Sequence, residues 1–270
     1  CLDGSRFTDK PDYQTTTFVD ETKNRDYRLK QTMITPGFTK KVAGVTTPFK
    51  PNWNITYTGF QVIKFNIDDN NYETVGTSYN SIPVFRYAEI LLNYAEAKHE
   101  LGQFDEIIWN KTIKPLRERS GVDGKIPVTA DPYLVEYYNN RITDKWLLEI
   151  RRERAIELFM EGSLRNDDLM RWKQGDMLQK KWSSIYIAEK NVGYDIDGDT
   201  TPDIMLVDKP VSKPVSTIFY IDLSKATYYT YANGFLQKKN ETVWLDKLYT
   251  HPIPQTAIVN NTNLAQNNGW

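Results

Sequence analysis

Between residues 83 and 120, PVFRYAEILLNYAEAKHELGQFDEIIWNKTIKPLRERSG, apolar side chains recur at helical spacing. Phe85, Ala88, Leu92 and Ala95 fall on one face, and Leu91 widens it. Pro83 suits a helix start, and Gly102 suits a left-handed C-terminal cap. The pattern predicts a second helix from about Asp105 to Arg119, stopping at Gly121. Ala88, Ala95 and Ala97 leave room for close helix packing. Residues 143–175 repeat the arrangement. Thr143 or Asp144 caps a long helix with Trp146, Leu147, Ile150 and Leu158 on its buried face, and Gly162 ends it. A further helix is predicted over about Leu164 to Lys173. Each pair spans close to the period of a tetratricopeptide repeat, roughly 34 residues, and such units need neighbours to cover their outer faces.

The flanks lack this period. Residues 1–82 are rich in Thr, Asn, Asp, Gly and Pro and predict loops and short strands. Within them, 24–38 predicts a helical turn followed by an extended piece broken at Pro36-Gly37. TGFQVIKFNI (58–67) predicts a strand with Phe60, Val62 and Ile63 toward a core. Residues 40–57 predict an irregular loop. A connector over 122–142 holds a helical piece near Asp131 to Asn140. Residues 176–250 predict irregular structure with a few small strands, and 251–270 a polar tail anchored by Trp270. The expected fold is mainly α, with tetratricopeptide-like helical hairpins over 83–175 and a loop-rich remainder.

Composition narrows the function. A formal charge of −1 and a pI of about 6.2 argue against a nucleic-acid or anionic-lipid partner. The 40% hydrophobic content supports a core, and no apolar run is long enough to span a membrane. One cysteine, Cys1, excludes an internal disulfide framework. Its surroundings, CLDGSRFTDKPDYQ, read as mid-chain sequence rather than the lipidated start of a mature lipoprotein.

Candidate chemistry is sparse. YDIDGDTTPDI (194–204) places Asp195, Asp197, Asp199 and Asp203 at positions 1, 3, 5 and 9 of a calcium-type loop. Gly198 at position 4 and the lack of a Glu at position 12 depart from that pattern. The alternatives are a structural calcium and an Asp-rich turn held by its own hydrogen bonds. Glu149, Glu153, Glu157 and Glu161 lie four apart, but interleaved Arg151, Arg152 and Arg154, with Arg165 beyond them, explain them as helix-surface ion pairs rather than glycosidase carboxylates. His99 and His251 are the only histidines, and no Gly-x-Ser-x-Gly elbow is present. An enzyme is therefore not expected. Aromatic content is high, with 17 Tyr and 7 Trp. PNWNITYTG (51–59) offers Trp53 between Asn52 and Asn54 with Tyr57 nearby, the mixture a sugar needs for stacking and hydrogen bonding. Tyr13 is a weaker candidate, and Trp53 could instead pin its loop to the body.

Three segments carry a family resemblance. FRYAEILLNYAEAKHELG (85–102) resembles the signature helix of the SusD/RagB family. IRRERAIELFMEGSLRNDDLMRWKQG (150–175) and HPIPQTAIVNNTNLAQNNGW (251–270) resemble its next helical block and its C-terminal end. The resemblance is to the C-terminal part of longer family members. It implies a cell-surface protein of the outer membrane, lipid-anchored through an N-terminus outside this chain, with an N-terminal half packing on these residues. It also implies non-catalytic capture of oligosaccharides and their delivery to a SusC-like TonB-dependent transporter, with residues 1–82 on the ligand side. Peptide capture of the RagB type and a helical-repeat scaffold for proteins are the alternatives.

Overall fold

The computed structural model describes residues 1–270. The first helices, α1 (Phe18–Glu21) and α2 (Tyr27–Thr32), begin where the Thr17 and Asp26 side chains accept hydrogen bonds from Asp20 N and Arg28 N. Strands β1 (Thr39–Val42) and β2 (Val45–Pro48) pair antiparallel. Ala43 and Gly44 join them with φ of 50° and 84°, the geometry of a hairpin turn. This hairpin lies in the stretch expected to be irregular. It is exposed almost throughout, so neither face imposes an apolar alternation on the sequence. The strand expected over 58–67 is reduced to a single bridge between Met33 and Val62. Gly59 (φ 84°) and Phe65 (φ 64°) turn the backbone on either side of that bridge, and Phe60, Val62 and Ile63 are only half-buried.

Helix α3 (Tyr87–Glu100) starts four residues after Pro83, with Arg86 extended at its N-cap. Gly102, at φ 65°, ends it as predicted. The helix expected over 105–119 is two, α4 (Glu106–Lys111) and α5 (Ile113–Arg119), broken at Thr112 (φ −119°, ψ −72°). Pro115 accounts for the break: it lacks the N–H that would bond the Lys111 carbonyl, and its ring crowds that oxygen. Next come α6 (Pro132–Tyr137), α7 (Lys145–Glu157) and α8 (Leu164–Arg171). Asp144 caps α7 by accepting from Leu147 N. α7 stops short of Gly162, because Lys64 Nζ takes the Glu157 and Phe159 carbonyls at 2.9 Å each and Met160 turns at φ 58°.

The remaining strands are short. β3 (Gly193–Tyr194), β4 (Ile204–Val207) and β5 (Phe219–Asp222) form one sheet in that order, with β4 and β5 parallel. β6 (Tyr229–Ala232) and β7 (Phe235–Lys238) make an antiparallel hairpin. The tail contains α9 (Gln255–Asn260). Trp270 anchors it, its indole N–H shared by the Lys247 and Thr250 carbonyls at 2.9 Å.

Three apolar cores hold these pieces. Leu92, Ala95, Trp109, Ile113 and Ile150 join α3, α4, α5 and α7. Leu134, Tyr138, Leu148 and Leu169 join α6, α7 and α8. Phe18 and Trp53 pack with Ile185, Ile196, Ile204, Leu206 and Leu236 under the strands. The outer face of α3 carries exposed Tyr87, Ile90, Tyr94 and Leu101. No helix is long and apolar enough to cross a membrane.

Candidate functional site

An aromatic platform lies at the edge of the third core. Tyr57 stacks near-parallel on Trp182, with centroids 6.5 Å apart and planes 14° apart. It also meets Tyr229 at 5.2 Å and Tyr228 at 6.3 Å. Tyr57 is 41% exposed and Tyr228 63%, so rings face solvent. Two elements place these rings. The β6–β7 hairpin carries Tyr229, with Tyr228 immediately before it, and an antiparallel bridge between Ser183 and Gln237 lays the Trp182 segment along β7.

The loop 51–59 supplies Tyr57, and Trp53 holds that loop down. Trp53 is 4% exposed and packed in the core, so it presents no ring to a sugar. This corrects its assignment as a ligand contact: the same large apolar area that suits stacking has gone into the core. Gly59 lies close against Ile185 and the Trp53 ring. Asn52 and Asn54 are exposed, and Asn54 N donates to Asn52 Oδ1 at 2.9 Å. Tyr13 lies apart from this group, edge-on to Phe7 at 6.4 Å. Sequence reading missed Trp182, Tyr228 and Tyr229. The only signal was the Tyr-rich character of 176–250, which does not say which rings stay outside.

Carboxylate oxygens of Asp195, Asp197 and Asp203 lie within 4.8 Å of one another. Asp199 stands outside that group, its Oδ1 accepting from Thr201 N at 2.7 Å and from the Thr201 hydroxyl. Asp195 accepts backbone N–H bonds from Asp197, Gly198 and Thr200. Asp203 is buried, accepting from Ile196 N and from the Lys50 ammonium. Burial, together with the charges of Asp203 and Asp199, pushes the Asp197 carboxyl up.

The glutamates of α7 are not on the surface. Glu149, Glu153 and Glu157 are 4%, 1% and 3% exposed. Their main partners are not the neighbouring arginines of α7 but cations from other elements. Arg28 reaches Glu153 at 2.5 Å and Glu157 at 3.0 Å. Arg117 bonds Glu149 and Glu153, while Arg119 and Arg86 bond Glu157. A helix with acids four apart thus binds three surrounding segments through its charged face. A cavity of about 740 Å³ opens between residues 1–8, α2 and α7, with Phe7 and Tyr133 on its walls. Arg28, Arg117, Glu149 and Glu153 also line it, already satisfied by one another.

The chain belongs to the SusD family, whose model matches residues 1–270. Its fold is also that of solved relatives. A SusD-like protein from Bacteroides fragilis aligns over 100% of this chain and 44% of its own, with 22% identity and a TM-score of 0.58. A SusD-like carbohydrate-binding protein from the same species aligns over 97% of this chain and 45% of its own, with 24% identity and a TM-score of 0.56. The chain therefore spans less than half the length of these relatives. No curated protein matches it.

Proposed function

We propose that this chain belongs to a cell-surface protein that captures oligosaccharides without altering them and delivers them to a SusC-like TonB-dependent transporter in the outer membrane. A lipid anchor on residues preceding this chain would hold it there. The observation that carries the reading is the exposed Tyr57 ring, near-parallel to a half-buried Trp182, with exposed Tyr228 beside it. Sugar rings have apolar faces that stack on such rings, while Asn52 and Asn54 can meet hydroxyls. A solved relative described as carbohydrate-binding supports the same direction.

Calorimetric titration against a polysaccharide panel tests it. Tyr57→Ala or Trp182→Ala should weaken binding about tenfold, which corresponds to about 1.4 kcal/mol. Tyr57 is 41% exposed, so the melting temperature of Tyr57→Ala should stay close to that of the parent, whereas removing the half-buried Trp182 should lower it somewhat. Binding that survives both changes would move the site elsewhere. The exposed stripe of Tyr87, Ile90, Tyr94 and Leu101 on α3 favours a second role, docking of another helix.

A structural calcium at the Asp-rich loop would rest on Asp195, Asp197 and Asp203, and would compete with the Lys50 ammonium. Lys50→Met should therefore melt lower in EDTA than the parent. Calcium should then raise its melting temperature by about 3–6 °C, more than it raises the parent's. Equal responses in scanning calorimetry would remove calcium from this loop.

A further inference from the structure

We infer that the sugar taken by the Tyr57–Trp182 platform is acidic, its carboxylate or sulfate ester received by Lys238. The inference rests on the capture reading above and adds its chemical class. Strand register carries it. Ser183 bridges Gln237, so one residue further along the antiparallel pair Trp182 lies opposite Lys238. On the other side of β7, Tyr229 is the partner of Lys238. Residues directly opposite share a face, so Trp182, Lys238 and Tyr229 form one row across three adjacent segments. Tyr57 contacts both aromatic ends of that row, at 6.5 and 5.2 Å. The ladder runs one residue beyond β7, with Lys239 N donating to the Tyr228 carbonyl at 2.9 Å. By the same alternation Lys239 and Tyr228, both exposed, lie on the opposite face, so Lys239 serves as the comparison for Lys238.

Neither ammonium is neutralised within the chain. Lys238 bonds only the neutral hydroxyl of Thr242, and no carboxylate lies within ion-pair distance of Lys238 or Lys239. Of the acids nearby, Glu241 pairs with Lys181 at 3.0 Å, and Asp222 accepts from Ser224 through Oδ1 while its Oδ2, with no hydrogen-bond partner, lies 3.7 Å from the Lys225 ammonium. Lysine often guards an edge strand against pairing. Lys238 does not serve that purpose, because β7 has β6 on one side and the 183–185 segment on the other. Lys238, paired with no acid and in line with Trp182 and Tyr229, matches a ligand that offers an apolar ring face and a negative charge together.

The test is affinity electrophoresis and calorimetry of the purified protein on neutral polysaccharides, on uronate polymers (polygalacturonate, alginate) and on a sulfated one (chondroitin sulfate). Tyr57→Ala, Lys238→Gln and Lys239→Gln are run beside the parent. The expected result is binding to at least one acidic polymer that falls about tenfold in Lys238→Gln and weakens as salt rises. The uronate and sulfate arms identify which acid is read. Binding confined to neutral polymers and lost in Tyr57→Ala would overturn this inference and leave capture standing. Acidic binding that Lys238→Gln does not alter would overturn it as well. Binding to no polymer of either kind would overturn both.

Discussion

Trp53→Ala is expected to destabilise the protein by about 3–5 kcal/mol, the range for deleting a fully packed tryptophan. At about 2–4 °C per kcal/mol, the melting temperature should fall by about 6–20 °C. The physical reason is that Trp53 contacts a core drawn from distant parts of the chain, including Ile185 and Leu236, and nothing nearby can collapse into the space it fills. Tyr57→Ala makes the informative contrast. Four residues further on, it removes a ring that is 41% exposed, so it should reduce glycan binding with little change in melting. Paired thermal and binding measurements separate the two residues. A Trp53→Ala protein that melts like the parent and simply binds less would reverse their roles.

Glu153→Gln should be nearly as damaging, at about 3–5 kcal/mol, because it leaves buried guanidinium groups short of charge. Arg28 and Arg117 both point at this carboxylate, which is 1% exposed. Asp20→Asn, which breaks the exposed Lys23 pair, should cost no more than about 1 kcal/mol. Chemical denaturation of the two variants beside the parent measures the difference. The same network sets an acid limit. Burial pushes the Glu157 carboxyl up, but Arg119, with Arg28 and Arg86, outweighs it and holds the group below the usual range. Glu96 is held down by Arg171 and Trp172, and Glu161 by Arg86 and Lys64, each against the opposing effect of burial. A depressed carboxylate adds stability that is complete above the unfolded-state pKa and disappears as pH falls through the folded one. Stability should therefore be flat near neutrality and drop below about pH 4.

The helical centre was legible because its signals are local. Asp144 as a cap, Gly102 as a stop and the Leu92–Ala95 face each depend on residues within a few positions. What escaped depends on partners far along the chain. Spacing placed Glu149, Glu153 and Glu157 on one face of α7, but the arginines that bury them come from α2, α5 and the residue before α3. Pro115 was present in a helix predicted to be continuous, and its effect on the Lys111 carbonyl was not used. Trp53 looked like a platform because its neighbours in sequence are polar, whereas its neighbours in space are isoleucines from 185–221. The rings that remain exposed were set by register across β6, β7 and the 183 segment, which the short apolar alternation there does not specify.

The third core has a consequence for synthesis. Phe18 and Trp53 are made early, yet their packing partners run from Ile185 to Leu236. At about 5–20 residues per second, the 183 residues from Asn54 to Leu236 take about 10–40 s to be made. The helices between them satisfy most of their contacts among themselves and can fold during that interval. The nascent chain therefore carries packed helices with an unpaired tryptophan loop ahead of them, and the platform assembles only when β7 arrives to complete the row that Tyr57 covers.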